Sequence, residues 1–194
     1  MKARSVQHVL LMGGLALALP ASSAGPATPE LLTLTCYACH GTKGASAGPI
    51  QPTIGGQQSK YMFETLKRYQ TGERPSTVMG RLMVGYSDEE LKAISDHLSK
   101  LPFVAGHQQV DPVKVEKGKL LHDKHCKKCH QDNGRDFSEG AGIIGGQWLA
   151  FLKISFEEYL QGKRKMPKEM AEKSEGLGAE DCDALSHFYA SQKH

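Results

Sequence analysis

Large aromatic side chains are scarce in this sequence: six Phe, six Tyr and a single Trp among 194 residues. A core built with so few is thin, and a small domain of that kind commonly completes its interior with a metal or a cofactor. Long apolar runs are rarer still. The only one covers residues 9–19 (VLLMGGLALAL), too short to span a bilayer comfortably. It follows Lys2 and Arg4 and precedes Pro20-Ala21-Ser22-Ser23-Ala24, so residues 1–24 read as a signal peptide cleaved after Ala24. The mature protein is therefore expected to be exported to the periplasm, with no membrane span.

Excess charge is also missing. Removing residues 1–24 takes away Lys2 and Arg4 and no acid, so the net charge falls from +3 to +1. No basic stripe interleaved with aromatics is present, which argues against nucleic acid as a partner. The sequence has no Ser/His/Asp arrangement, no phosphate-binding loop and no paired carboxylates. The chain by itself does not read as an enzyme. Strand-like alternation is absent as well, leaving helical spacing as the only periodic signal.

Five cysteines in an exported protein would ordinarily suggest disulfides. Here they fall as Cys36/Cys39, Cys126/Cys129 and Cys182 alone, a poor disulfide framework. The two close pairs belong to an internal repeat. At an offset of 90, Cys36, Cys39 and His40 land on Cys126, Cys129 and His130; Gly44 lands on Gly134; Ile54-Gly55-Gly56-Gln57 lands on Ile144-Gly145-Gly146-Gln147; Tyr69 lands on Tyr159 and Gly72 on Gly162. One extra residue then shifts the register to 91, pairing Met79 with Met170 and Glu89 with Glu180. Leu101 to Val110 has Pro, Gly and no periodicity, which predicts an N-terminal domain over 25–104, a connector over 105–110 and a C-terminal domain over 111–194.

Each half reads as all-α. Thr28-Pro29 and Asp111-Pro112 pair an N-cap residue with Pro at the first helical position, starting a helix that runs into each cysteine pair. Ser87-Asp88-Glu89-Glu90 is a capping box, followed by Leu91, Ile94, Leu98 and Leu101 at helical spacing. Middle helices are expected over 58–71 and 148–161, and a last one from about Ala179 to Ser191.

Cys36-Tyr37-Ala38-Cys39-His40 and Cys126-Lys127-Lys128-Cys129-His130 both match C-x-x-C-H, the attachment signature of haem c. Two thiols about one helical turn apart can form thioethers to both vinyl groups on one porphyrin edge, and the next residue, His, projects its imidazole toward the iron. A four-cysteine zinc site needs pairs closer in sequence, and a redox dithiol expects a βαβ setting. The sixth iron ligand is expected to be a methionine. Met62 lies in the middle helix and suits core filling. Met79 lies in a Pro- and Gly-punctuated loop and is preferred over Met83. In the second half Met170 keeps both repeat spacings, 40 residues after His130 against 39 from His40 to Met79, and Met166 is the alternative. His97, His107, His122, His125 and His187 are read as surface or packing residues, and Cys182, which takes the place of Leu91, as a buried free thiol. Lys127 and Lys128 lie inside the second attachment loop and could face an acidic partner.

On these motifs, with Ser76-Thr77-Val78-Met79-Gly80-Arg81-Leu82, Lys119-Leu120-Leu121-His122-Asp123-Lys124-His125-Cys126 and the ending Phe188-Tyr189-Ala190-Ser191-Gln192, the chain resembles the diheme class I cytochromes c. It is most like the cytochrome subunit of flavocytochrome c sulfide dehydrogenases. The resemblance implies two tandem cytochrome c domains related by a pseudo-twofold, two covalently bound haems c, single-electron transfer, and an FAD-containing flavoprotein as partner. The rival expectation is a free diheme carrier of the c-four type that feeds a terminal oxidase. The resemblance also points to a Pro carbonyl as acceptor for the proximal His N–H. Pro49 fits that role in the first half, whereas the matching position in the second is Glu139.

Overall fold

The computed structural model describes residues 27–136 and 140–193. The signal peptide and its cleavage site lie outside the described residues, as do Glu139 and the C-terminal His194. Among the described residues all regular secondary structure is helical, and none of these helices is long and apolar enough to cross a membrane.

The first half contains α1 (Pro29–His40), α2 (Ser59–Gln70), the short α3 (Met79–Met83) and α4 (Asp88–Ser99). Local chemistry sets these boundaries. Thr28 accepts the Leu31 N–H ahead of Pro29. Ser87 and Glu90 close a reciprocal capping box at the start of α4. Helices α1 and α2 both pack on α4. They enclose Met62, Leu66, Met83, Leu91, Ile94 and Leu98, each contributing roughly 1.5–3 kcal/mol through burial.

The second half repeats the plan with α5 (Pro112–Leu121), the single turn α6 (Gln131–Gly134), α7 (Leu149–Leu160), α8 (Lys168–Lys173) and α9 (Ala179–Ala190). The expected uniform helix into the second cysteine pair is not observed. After α5 the chain widens into a π turn, His122–Cys126, a distortion common at functional sites. Helices α5 and α7 pack on α9 around Leu152, Leu185, Phe188, Tyr189 and Ala190. Gly118 permits the α5–α9 crossing: a Cβ there would sit 2.3 Å from the Ala184 carbonyl oxygen and 2.6 Å from Phe188 Cβ.

The repeat extends to main-chain bonding. The Ile54 and Gly55 N–H groups both donate to the Gly44 carbonyl, and the Ile144 and Gly145 N–H groups donate to that of Gly134. The Gly56 N–H donates to Leu98, as the Gly146 N–H donates to Tyr189. Across the domain boundary Gln57 bonds both the N–H and C=O of Ile143, and Gln147 bonds both of Thr53. This exchange is a pseudo-twofold contact. Trp148, the only tryptophan, inserts beside it: its Nε1–H donates to the Ser46 carbonyl at 3.2 Å, and its ring lies where Cβ atoms on Gly48 or Gly106 would be.

The connector is irregular, as its sequence suggests, yet it is docked. The Gly106 N–H donates to Gly146, and the Gln108 side chain bridges Gln147, Leu149 and Ala190.

Candidate functional site

Helix α1 delivers Cys36, Cys39 and His40 on its last turn, and Gly41, at φ +75°, ends the helix there. Cys36 packs against the first core, Cys39 is exposed and His40 is buried. His40 Nδ1 lies 2.8 Å from the Pro52 carbonyl oxygen. A carbonyl only accepts, so Nδ1 carries the proton and Nε2 keeps its lone pair for a metal. Burial lowers the His40 pKa, with the Pro52 bond opposing, so the ring is neutral at neutral pH. The acceptor is thus Pro52, three residues beyond the expected Pro49.

In the second half, too, the residue facing the histidine lies three positions beyond the Pro49 counterpart, so the Pro-to-Glu difference between 49 and 139 does not fall on the acceptor. The repeat counterpart of Pro52 is Gly142, whose backbone faces His130 and favours its protonated form. Since the acceptor is a main-chain oxygen, its side chain is free to vary. The contact falls short of a formed hydrogen bond, leaving His130 Nδ1 buried without a full partner. Burial, with His122 nearby, pushes the His130 pKa down to about 4. Burial also raises the thiols of Cys36 and Cys126.

A polar pair that the repeat does not foreshadow sits beside this second centre. His122 is 2% exposed, with Nδ1 3.0 Å from the Tyr189 hydroxyl. Its ring stacks at a tilt on Phe188, and the Tyr189 ring approaches His130 edge-on at 6.3 Å. The first copy has Leu32 and Leu98 at these positions. His122 is therefore a packing residue, as read from the sequence, and its partner emerges only in three dimensions. Among the other histidines, His187 is buried and accepts the Asp111 N–H, His97 meets the Tyr37 hydroxyl at 3.3 Å, and His107 is exposed. Cys182 is a buried free thiol.

The methionines lie on other elements of each half. Met79 opens α3 rather than lying in a plain loop, and is half-buried against the first core, whereas Met83 is buried within it. Met170 is half-buried in α8, and Met166 is half-buried just before that helix.

Between the domains lies a group of donors missed in the sequence reading. Arg74 stacks over Tyr69 at 4.7 Å and Arg164 over Tyr159 at 4.5 Å. Burial pushes the Tyr61 hydroxyl up, but Arg74, Arg164 and hydrogen bonding to Thr65 and Arg164 more than offset this and leave it lowered. Arg74 is 7% exposed, and its Nε has no hydrogen-bond partner. A buried cation with an unused donor suits a carboxylate, and haem carries two. The sequence signal was available: Arg74 and Arg164 are 90 residues apart, like the tyrosines they cover. The two cysteine pairs stay in separate halves, and among the described residues no three His, Cys, Asp or Glu side chains converge on a metal-sized site. The arrangement fits two covalently attached haems and not one shared metal.

Comparison with known proteins gives the family and the fold. The cytochrome c family profile matches twice, over residues 28–102 and 115–193. The cytochrome subunit of sulfide dehydrogenase from Chlorobaculum tepidum is 42% identical over 72 residues, 37% of this chain and 64% of that protein. The match thus spans less than two thirds of that relative's own length. Cytochrome c4 of Azotobacter vinelandii is 26% identical over 148 residues, 66% of this chain and 69% of its own length. The crystal structure of reduced recombinant cytochrome c4 from Pseudomonas stutzeri superposes with a TM-score of 0.75 at 24% identity, covering 82% of this chain and 94% of that one, a likeness of fold.

Proposed function

The chain belongs to the cytochrome c family, whose domain it carries twice, and on that premise we propose that it is the electron-accepting cytochrome subunit of a periplasmic sulfide dehydrogenase. It is a diheme electron carrier with two covalently bound haems c. When bound, each haem supplies one-electron chemistry through its iron.

The residues have separable roles in this reading. Cys36, Cys39, Cys126 and Cys129 form the thioether links. His40 and His130 would present neutral Nε2 atoms to the haem irons. Pro52 holds the ring of His40 through its main-chain oxygen, and the Gly142 backbone faces His130 without a formed hydrogen bond. Met79 and Met170 would supply the methionine ligands, with Met166 as the alternative to Met170. With a histidine and a methionine committed to each iron, the haems would exchange electrons and would not bind substrate. Residues 1–24 direct export, supported by their charged start, short apolar run and small-residue cleavage site.

The subunit role is carried by one observation: the N-terminal haem edge is an exposed apolar face. On α1, Leu31, Leu34, Thr35 and Ala38 recur at helical spacing, all exposed, and lead to exposed Cys39. Val78, Leu82 and Val84 flank Met79 and are exposed too, Val84 at 67%. Exposed apolar side chains on both elements that flank the first attachment site support a lasting interface there. The relative named for sulfide dehydrogenase agrees with that choice. A second reading, a free carrier of the c-four type delivering electrons to a terminal oxidase, is favoured by the longer match to cytochrome c4.

The test is gentle isolation of the tagged holoprotein from periplasm. Co-purification of an FAD-containing protein that reduces both haems on adding sulfide is expected. A haem protein that emerges alone and stays oxidised with sulfide would overturn the subunit reading in favour of the free carrier.

A further inference from the structure

The two haem edges, equivalent in the repeat, differ in charge at four matched positions. Leu34, Tyr37 and Ala38 of the first edge correspond to Lys124, Lys127 and Lys128 of the second, and Leu82 corresponds to Lys173. All four lysines are exposed. His125 joins them into one surface: its Nδ1 bonds the Lys173 carbonyl at 2.9 Å, tying the end of α8 to the attachment turn. The neighbouring acids Asp123 and Asp181 are engaged by Lys119 and Lys117, and Lys168 pairs with Glu172. Among the described residues no ion pair engages Lys124, Lys127, Lys128 or Lys173. Glu169 and Glu175 occupy the Val78 and Val84 positions on the distal rim and Glu172 that of Arg81, so acids stand beside Lys173 on that side, while Asp123 and Asp132 on the attachment side are each ion-paired.

We propose that this cationic edge is the electron exit, a docking face for a mobile redox protein with a carboxylate-rich surface. The inference rests on the electron-carrier assignment and holds whichever donor feeds the first haem. Unpaired lysines ringing the attachment site steer an acidic partner to the shortest path from the second haem and release it as salt rises. The first edge carries a single cation, exposed Arg81, among its apolar positions. The two ends of the protein are thereby matched to a resident donor and a transient acceptor.

The experiment uses full-length holoprotein, reduced beforehand, and plant plastocyanin as the acidic probe. One electron leaves the protein for each Cu(II) reduced to Cu(I), and the reduced haem band bleaches in proportion. The variant Lys124→Glu/Lys173→Glu lies outside both C-x-x-C-H motifs, so haem attachment is preserved. Its oxidation by plastocyanin at low salt should slow on the order of tenfold, with a flattened salt dependence. The control Lys43→Glu/Lys100→Glu, with equal charge change on the first half, should stay within about twofold. Equal slowing of both variants, or no slowing of either, would overturn the proposal. So would selective loss of binding to phosphatidylglycerol vesicles with the plastocyanin rate unchanged, which would make the face a lipid contact. If the unsubstituted protein passes no electrons to plastocyanin or to hexacyanoferrate(III), the electron-carrier assignment itself fails.

Discussion

Gln57 and Gln147 occupy one position of the repeat, and each side-chain amide completes two hydrogen bonds with the main chain of the other domain, at 2.7–3.0 Å and out of water. Gln147→Ala would strip buried Thr53 of both partners at once. Leaving such groups unpaired costs about 2–3 kcal/mol. Urea titration should show this loss, and the Gln57→Ala/Gln147→Ala pair should cost less than the two single changes added, because either one already loosens the same contact. A loss below about 0.5 kcal/mol for Gln147→Ala would show that the exchange does not hold the domains.

Gly118 is where α5 and α9 touch backbone to side chain. Neither the Ala184 carbonyl nor Phe188 Cβ can rotate away, so Gly118→Ala must separate the helices. A loss of about 1–3 kcal/mol is expected, despite the better helix propensity of alanine. An unchanged or raised thermal midpoint would show that the crossing is not that tight.

Asp183 joins three helices by accepting from Lys114 and Lys153, both at 2.6 Å. Burial alone would raise its pKa, but the two ammonium groups bring it down to about 2. A carboxyl lowered on folding adds stability above its unfolded pKa, near 3.8, and loses it as pH falls through about 2. Asp183→Asn should therefore cost roughly 1–2 kcal/mol at pH 7, allowing for partial exposure. The gap from the unsubstituted protein should close between about pH 4 and pH 2. A gap constant over that range would assign the loss to packing.

The methionine assignments separate spectroscopically. Met79→Ala and Met170→Ala should each remove about half of the methionine–iron absorption band of the oxidised protein. Met83→Leu should lower stability, because Met83 is a core residue, and leave the band whole. Met166→Leu should change neither. Loss of the band in Met166→Leu, with Met170→Ala unaffected, would transfer the ligand role.

Much of this molecule was legible because the signals are local. Thr28-Pro29, Asp111-Pro112 and the Ser87–Glu90 box set helix starts within one turn of themselves, and the helices begin there. The C-x-x-C-H spacing carries its chemistry within five residues. The repeat was visible because equal folds keep equal residues, down to Gly44 and Gly134.

What the tertiary structure alone decided involves partners distant in the chain. That His40 meets Pro52 and not Pro49 depends on the path of a loop whose acceptor is a backbone atom, which no side chain announces. The His122–Tyr189 pair spans 67 residues and replaces leucines, so repeat logic argued against it. The difference in charge between the two haem edges needed the fold to show which helix faces are exposed. Residue identity determined the cofactor and its attachment, because that chemistry is covalent and short-range. Packing decided the hydrogen bonds, the domain contact and the surfaces offered to partners, because those arise only where separate segments meet.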